Sequence, residues 1–169
     1  MEVQKKFIKD LLIHQRYNNK VAIEDGKSKL TYSNWHQHCE NISIQLMEES
    51  RYQKGRNMGI FLPNSIDYAI SYFSIAYMNR TIVPIEVTLS EKQLTSIVDY
   101  CEICTILTTS TYMDLLKQRL IKFDFGIEIY CIDTKEIYFN KKRNQKVVAI
   151  VIIVVIAAML VTTFVSSLV

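Results

Sequence analysis

From Val21 to Ile132, short apolar runs alternate with longer stretches whose apolar residues recur every three or four positions. Val21-Ala22-Ile23-Glu24 reads as a short strand, Asp25-Gly26 as a turn, and Leu30-Thr31-Tyr32 as the returning arm of a hairpin. Trp35, Cys39, Ile42 and Leu46 then fall at helical spacing, behind Thr31 or Ser33 as a cap. Met58 to Leu62 is an apolar strand. Asn64 or Ser65 can cap the helix after it, which buries Ile66, Ala69, Ile70, Phe73, Ala76 and Tyr77. Thr81 to Ile85 follows as a strand stopped near Pro84.

The sharpest local signal is Ser90 with Gln93, a capping box flanked by Leu89 and Leu94 as a hydrophobic staple. It fixes the start of a helix running to about Tyr100. Thr105 to Thr109 reads as a strand, 111–121 as a helix and Ile127 to Ile132 as a strand. Apolar strands alternating with helices predict an α/β layered body over 1–135, with a mostly parallel sheet and helices on both faces. Residues 133–146 are polar and charged, and 136–146 is expected to be a basic linker.

The pattern changes at the end of the chain. Val147 to Val169 is 23 residues without charge, proline or glycine, and Lys141-Lys142-Arg143-Asn144-Gln145-Lys146 precedes it with four cations in six positions. As a helix the apolar run would measure about 35 Å, enough for a hydrocarbon core of about 30 Å. A transmembrane helix over 147–169 is therefore expected, with the basic run and the body on the cytoplasmic side. Two other readings stand beside it. The run could begin as a buried parallel strand, which is also continuously apolar, or it could be a coding accident, which would not prevent it from inserting; the alternative location is cytoplasmic.

The net charge of +3 is more than accounted for by the four cations at 141–146, so the body is close to neutral. That argues against nucleic acid, whose binding draws most of its affinity from a basic face. The start of the chain lacks the apolar run of a secretory signal. Cys101-x-x-Cys104 has metal-site spacing, with His36-x-His38-Cys39 as its conceivable partner, but no second well-spaced pair accompanies it. Small buried hydrophobes are the simpler reading, and no metal is assigned. His14, His36 and His38 lack a nucleophile and an orienting acid, so they read as helix-face residues. Tyr68, Tyr72 and Tyr77 could line an acyl pocket but are more simply packing residues. Glu48-Glu49 reads as a solvated helix end.

Five segments in order, spanning about 19–109, resemble the opening of the AMP-binding, acyl-adenylate-forming superfamily of acyl-CoA synthetases, adenylation domains and luciferases. They are Val21 to Gly26 with Leu30-Thr31-Tyr32; Lys54-Gly55; Ile60-Phe61-Leu62-Pro63-Asn64-Ser65; Ile82-Val83-Pro84-Ile85; and Leu94 to Leu107. Asn79 and Glu102 stand where the family usually has glycine, and Arg56 where it has an acid. The resemblance implies ATP- and Mg-dependent adenylation of a carboxylic acid. It also implies that a strand at Val147 to Ile152 should lead into a Gly-rich, lysine-bearing phosphate loop. The residues that follow, Ile153 to Leu160, contain neither glycine nor lysine.

No catalytic, cofactor-binding or metal residue of the family is carried over, and no cofactor is assigned to the chain itself. Three functions follow as expectations. The chain is a truncated ligase-like protein, inactive alone and completed, if at all, by a separately encoded C-terminal fragment. Or it is a membrane-anchored, non-catalytic binding or regulatory module. Or it is a working acid–thiol ligase, which the missing loop opposes.

Overall fold

The computed structural model describes residues 7–26, 28–49, 57–121 and 126–139. Its elements run α1 (Ile8–Ile13), β1 (Val21–Glu24), β2 (Lys29–Thr31), α2 (Tyr32–Glu49), β3 (Asn57–Phe61), α3 (Ile66–Tyr77), β4 (Ile82–Ile85), α4 (Glu91–Tyr100), β5 (Ile103–Thr108), α5 (Ser110–Leu120), β6 (Glu128–Cys131) and β7 (Glu136–Phe139). β1 and β2 form the expected antiparallel hairpin. The other strands make one sheet in the order β4-β3-β5-β6-β7, parallel except for β7, which runs antiparallel to β6.

Alternation along the strands divides the core in two. Met58 and Ile60 of β3, Leu107 of β5 and Tyr130 of β6 face α2 and α3, where Cys39, Ile42, Leu46, Ile70 and Ile75 meet them. Phe61, Ile106 and Ile129 face the other way, onto Leu94 and Val98 of α4 and Met113, Leu116 and Leu120 of α5. β5 and β6 are buried at every position, Thr105, Thr108 and Glu128 included. α2 and α3 lock together through Trp35, whose ring meets Phe73 edge-on at 4.6 Å and whose Nε1 donates to the Ala69 carbonyl at 3.3 Å.

The caps follow local chemistry. Thr31 Oγ1 accepts from the Asn34 amide at 3.2 Å and Ser65 Oγ from the Tyr68 amide at 3.1 Å. At α4 the Ser90–Gln93 box closes in both directions, at 3.4 Å and 3.0 Å, with Leu94 fully buried beneath it. Asn79 has φ +54 and Glu102 φ +48, so both positions where the family uses glycine are left-handed here. Asn79 ends α3 in a Schellman arrangement, with the Arg80 amide on the Ile75 carbonyl and the Asn79 amide on the Ala76 carbonyl.

Two expectations need correction. Pro84 does not stop β4 but lies inside it, opposite Ile60. β4 is the outermost strand of the sheet, and an edge strand can do without one ladder donor. Residues 136–139, expected to start a linker, form β7. The turn at 132–135 reverses the chain, with Lys135 at φ +59 donating its amide to the Cys131 carbonyl at 2.8 Å. The body therefore reaches at least Phe139.

Among the described residues no helix is long and apolar enough to cross a membrane. The segment 147–169, the basic run 141–146 and Lys54-Gly55-Arg56 lie outside the described residues.

Glu102→Gly should stabilise the domain by about 0.5–1 kcal/mol, because a non-glycine left-handed residue costs on the order of 1 kcal/mol or more and glycine's unfolded-state entropy returns part of it. Asn79→Gly should gain less, since asparagine tolerates this region. Ser90→Ala should cost about 1 kcal/mol through loss of the cap. Urea midpoints at neutral pH would measure all three, and a neutral Ser90→Ala would reject the capping role.

Candidate functional site

In an open parallel sheet, ligands bind beyond the carboxyl ends of the strands, where the strand order reverses. Here that place lies between β3 and β5, because β3 leads into α3 on one face and β5 into α5 on the other. The crevice is stitched shut at its floor: Thr108 Oγ1, fully buried, donates to the Phe61 carbonyl across it at 3.0 Å. Beside it, over the ends of β3 and β4, lies a cavity of about 480 Å³ bounded by Leu62, Pro63, Asn64, Tyr68, Pro84 and Glu86. Pro63 and Pro84 stiffen its two rims.

Helix N-termini gather at this edge and would attract anions if their amides were open. At each of them one first-turn amide is bonded to a side chain of this chain. Ser65 caps α3, with Asp67 in its first turn. Ser90 and Gln93 close α4, with Glu91 in its first turn. Thr109, at the cap position of α5, makes no side-chain cap bond. Asp133, 23 residues downstream at the end of β6, supplies it instead: its Oδ1 accepts from the Ser110 amide at 2.9 Å, and its other oxygen accepts from the Ser110 hydroxyl. The Cys131 thiol also donates to Asp133, at 3.0 Å. The lining of the cavity contains no lysine, arginine or glycine.

Acidic side chains and one arginine meet at this edge, where Arg119 donates to the Val87 carbonyl at 2.7 Å. Asp67 is raised above the usual carboxylate range by burial, then by the charges of Asp133 and Asp25, with His38 pulling the other way. For Asp133, burial acts upward, but the hydrogen bonds from Cys131 and Ser110 outweigh it and hold the carboxyl at about 2.

The residues singled out from sequence are scattered. Cys39 is buried with its thiol on the Ile70 carbonyl, Cys101 caps α4, Cys104 donates to the Asn57 carbonyl and Cys131 ends β6. Burial pushes the Cys39 thiol up to about 12, with Ser74 acting weakly against it, and burial also raises Cys104 and Cys131. Protonated thiols are neither nucleophiles nor metal ligands. Among the described residues no three His, Cys, Asp or Glu side chains converge as a metal site would require.

His36 is bonded through Nδ1 to the Tyr77 hydroxyl, and its Nε2 lies 3.9 Å from Glu40. Tyr77 is raised by burial and by the Cys39 and Glu40 charges, the opposite of an activated nucleophile. His14 and His38 lie at the surface. Tyr68 reaches the carboxyl-edge cavity, whereas Tyr72 packs on Phe73 and Tyr77 on His36. The residue that sequence reading missed is Asp133. No local pattern links it to α5, and only the pairing of β5 with β6 brings it there.

Because the folded-state pKa of Asp133 lies below the ordinary aspartate value of about 3.9, its contribution is complete above that pH and is lost as pH falls toward 2. Asp67 has the opposite sign, so its contribution grows as pH falls. In Asp133→Asn the decline in urea midpoint between about pH 4 and pH 2 should be shallower than in the parent. Unchanged steepness would remove Asp133 from the acid response.

Comparison with known proteins places this geometry. The family model for AMP-binding enzymes matches residues 13–160. The fold is similar to the anthranilate CoA ligase AuaEII bound to anthranoyl-AMP, with TM-score 0.60, 16% identity, and 67% of this chain covering 22% of that one. It is similar to the nonribosomal peptide synthetase FmoA3 in its α-methyl-L-serine-AMP form, with TM-score 0.69, 18% identity, and 80% of this chain covering 15% of that one. It is also similar to a luciferase-like enzyme of the mealworm Zophobas morio, with TM-score 0.66, 17% identity, and coverages of 78% and 32%. This chain thus spans less than a third of the length of each of these structures. No curated protein sequence matches it. With its sequence matched from residue 13 to 160 and its fold shared with adenylate-forming ligases, the chain belongs to the AMP-binding enzyme family.

Proposed function

We propose that this chain is the N-terminal α/β layer of an AMP-forming acid ligase, and that by itself it does not adenylate a carboxylic acid. The observation that carries the second half is the carboxyl edge. One first-turn amide at each helix N-terminus is taken by Ser65, by Ser90 or by Asp133, and the cavity beside them is lined by no lysine, arginine or glycine. Displacement at a phosphate depends on positioned donors and charge stabilisation. The sequence from Ile153 to Val169 adds neither glycine nor lysine. The layer's role is then structural: it presents a stiff, proline-rimmed cavity beside Tyr68 against which a further part of a ligase can close. A further part of a ligase, closing over the carboxyl edge, is what this reading calls for.

A second reading has its own observation. Val147 to Val169 carries no charge and follows four cations, as in a single-pass anchor with this domain on the cytoplasmic side. The chain would then be a membrane-held, non-catalytic module. Against it, the family match extends to residue 160, well inside the apolar run, which supports a strand at Val147–Ile152 belonging to the domain. That arrangement goes with a cytoplasmic protein. Recovery of the chain in the pellet after carbonate extraction would favour the anchor, and its release would favour the strand.

The purified chain should give no acid-dependent ATP–pyrophosphate exchange above a no-protein control across a panel of carboxylic acids. Exchange by the chain alone would overturn the proposal. Exchange appearing only when a ligase C-terminal fragment is added would support it in its two-chain form.

A further inference from the structure

α3 carries Tyr68 at the carboxyl-edge cavity and Tyr77 at its opposite end, about 13 Å further along the helix axis. At that far end lies another cavity, of about 580 Å³. It is bounded by Tyr77, by His36 and Glu40 of α2, and by Lys9, Arg16 and Tyr17 of α1 and the turn after it. Helical spacing explains the lining. His36 and Glu40 are one turn apart on one face of α2. Lys9 and Arg16 are two turns apart, and the Arg16 amide on the Ile13 carbonyl at 3.2 Å carries the winding of α1 past its last residue.

Two cations and one carboxylate give this lining a positive balance. Both cations rest on ring faces: Lys9 Nζ lies 5.6 Å from the Phe7 ring centre and the Arg16 guanidinium 4.9 Å from that of Tyr17. Among the described residues neither makes an ion pair. A guanidinium stacked by its flat face keeps its N–H edge for an anion. His36, whose side chain is 14% exposed, is held from behind by the Tyr77 hydroxyl on Nδ1. Burial, then the Cys39 and Glu40 charges, raise Tyr77, so the phenol keeps its proton and donates it to the ring. The imidazole hydrogen then sits on Nε2, the nitrogen 3.9 Å from Glu40.

We infer that this cavity binds a phosphate monoester, whose oxygens are taken by the Lys9 ammonium, the Arg16 fork and His36 Nε2. An ammonium, a guanidinium fork and a ring N–H supply more donors than the two oxygens of a carboxylate can use in their plane, whereas a phosphate presents three oxygens. One phosphate also suits the small positive balance, since Glu40 opposes a longer phosphate chain. Tyr17, beside Arg16, offers a face to the group that the phosphate carries. The site goes beyond the ligase reading, because it lies at the end of α3 remote from the carboxyl edge.

Phenyl phosphate is the probe. Added to the full chain, it should shift the His36 ring signals in proton NMR in a saturable way and leave those of the exposed His38 unmoved. Arg16→Gln and Lys9→Gln should each weaken binding about tenfold, and Glu40→Gln should tighten it. No saturable response, or one that neither cation variant weakens, would overturn the site. Phosphatidylcholine vesicles containing phosphatidic acid separate the sources of the phosphate. Competition between these vesicles and phenyl phosphate supports the site with a lipid headgroup as its ligand, and lack of competition supports it with a free monoester. Retention on the vesicles without any response to phenyl phosphate would overturn it. None of these readings involves pyrophosphate exchange, so this site and the absence of adenylation can fail separately.

Discussion

The rest of the domain depends on burying both faces of its central strands. β5 lies between β3 and β6 with every residue from Ile103 to Thr108 inaccessible to water, and β6 is equally enclosed. Such strands cannot exist without a helix layer on each side, so α2 with α3 and α4 with α5 are conditions of the sheet and not additions to it. Burial of this completeness leaves polar groups only where partners wait. Thr105 donates to Glu128 at 3.0 Å and Thr108 to the Phe61 carbonyl at 3.0 Å. Gly59 marks the tightest spot on β3: a Cβ there would lie 2.7 Å from the Ile85 side chain and 3.3 Å from that of Ile106. The sheet is packed to the point where one strand position accepts no side chain without movement.

The same packing governs the carboxyl edge. β3, β4 and β5 each deliver a helix N-terminus there, and those amides need partners. This chain satisfies them from its own side chains, one of them by reaching across from β6 to α5. What results is an edge where Glu86 and Tyr68 border a cavity rimmed by Pro63 and Pro84. Membership in the AMP-binding family and likeness of fold to much longer ligases agree with a layer whose reactive partners lie elsewhere.

Much of the layer was readable along the chain. The capping box at Ser90 and Gln93 and the apolar spacing of α2 and α3 are local effects, set within a turn or two. The order of strands and helices followed from them, and with it the α/β class. The left-handed turns at Asn79 and Glu102 could be located only because the family resemblance marked those positions as glycine sites. Pro84 and residues 136–139 were misread for one reason: the rule applied to each was local, and the outcome depended on position in the sheet. A proline is tolerated at an edge, and a polar-looking segment becomes a strand when β6 offers it a ladder and Ile137 and Tyr138 a place to pack.

What the sequence by itself determined is the set of elements, their order and the chemistry missing from Ile153 onward, since periodicity, caps and composition act over a few residues. What only the tertiary structure decided is which residues share a site. The pairing of Asp133 with Ser110 and the bond from Thr108 to the Phe61 carbonyl both join residues from different elements. Their contacts are fixed by strand pairing and by the close packing of helices on the sheet, and no spacing along the chain encodes either.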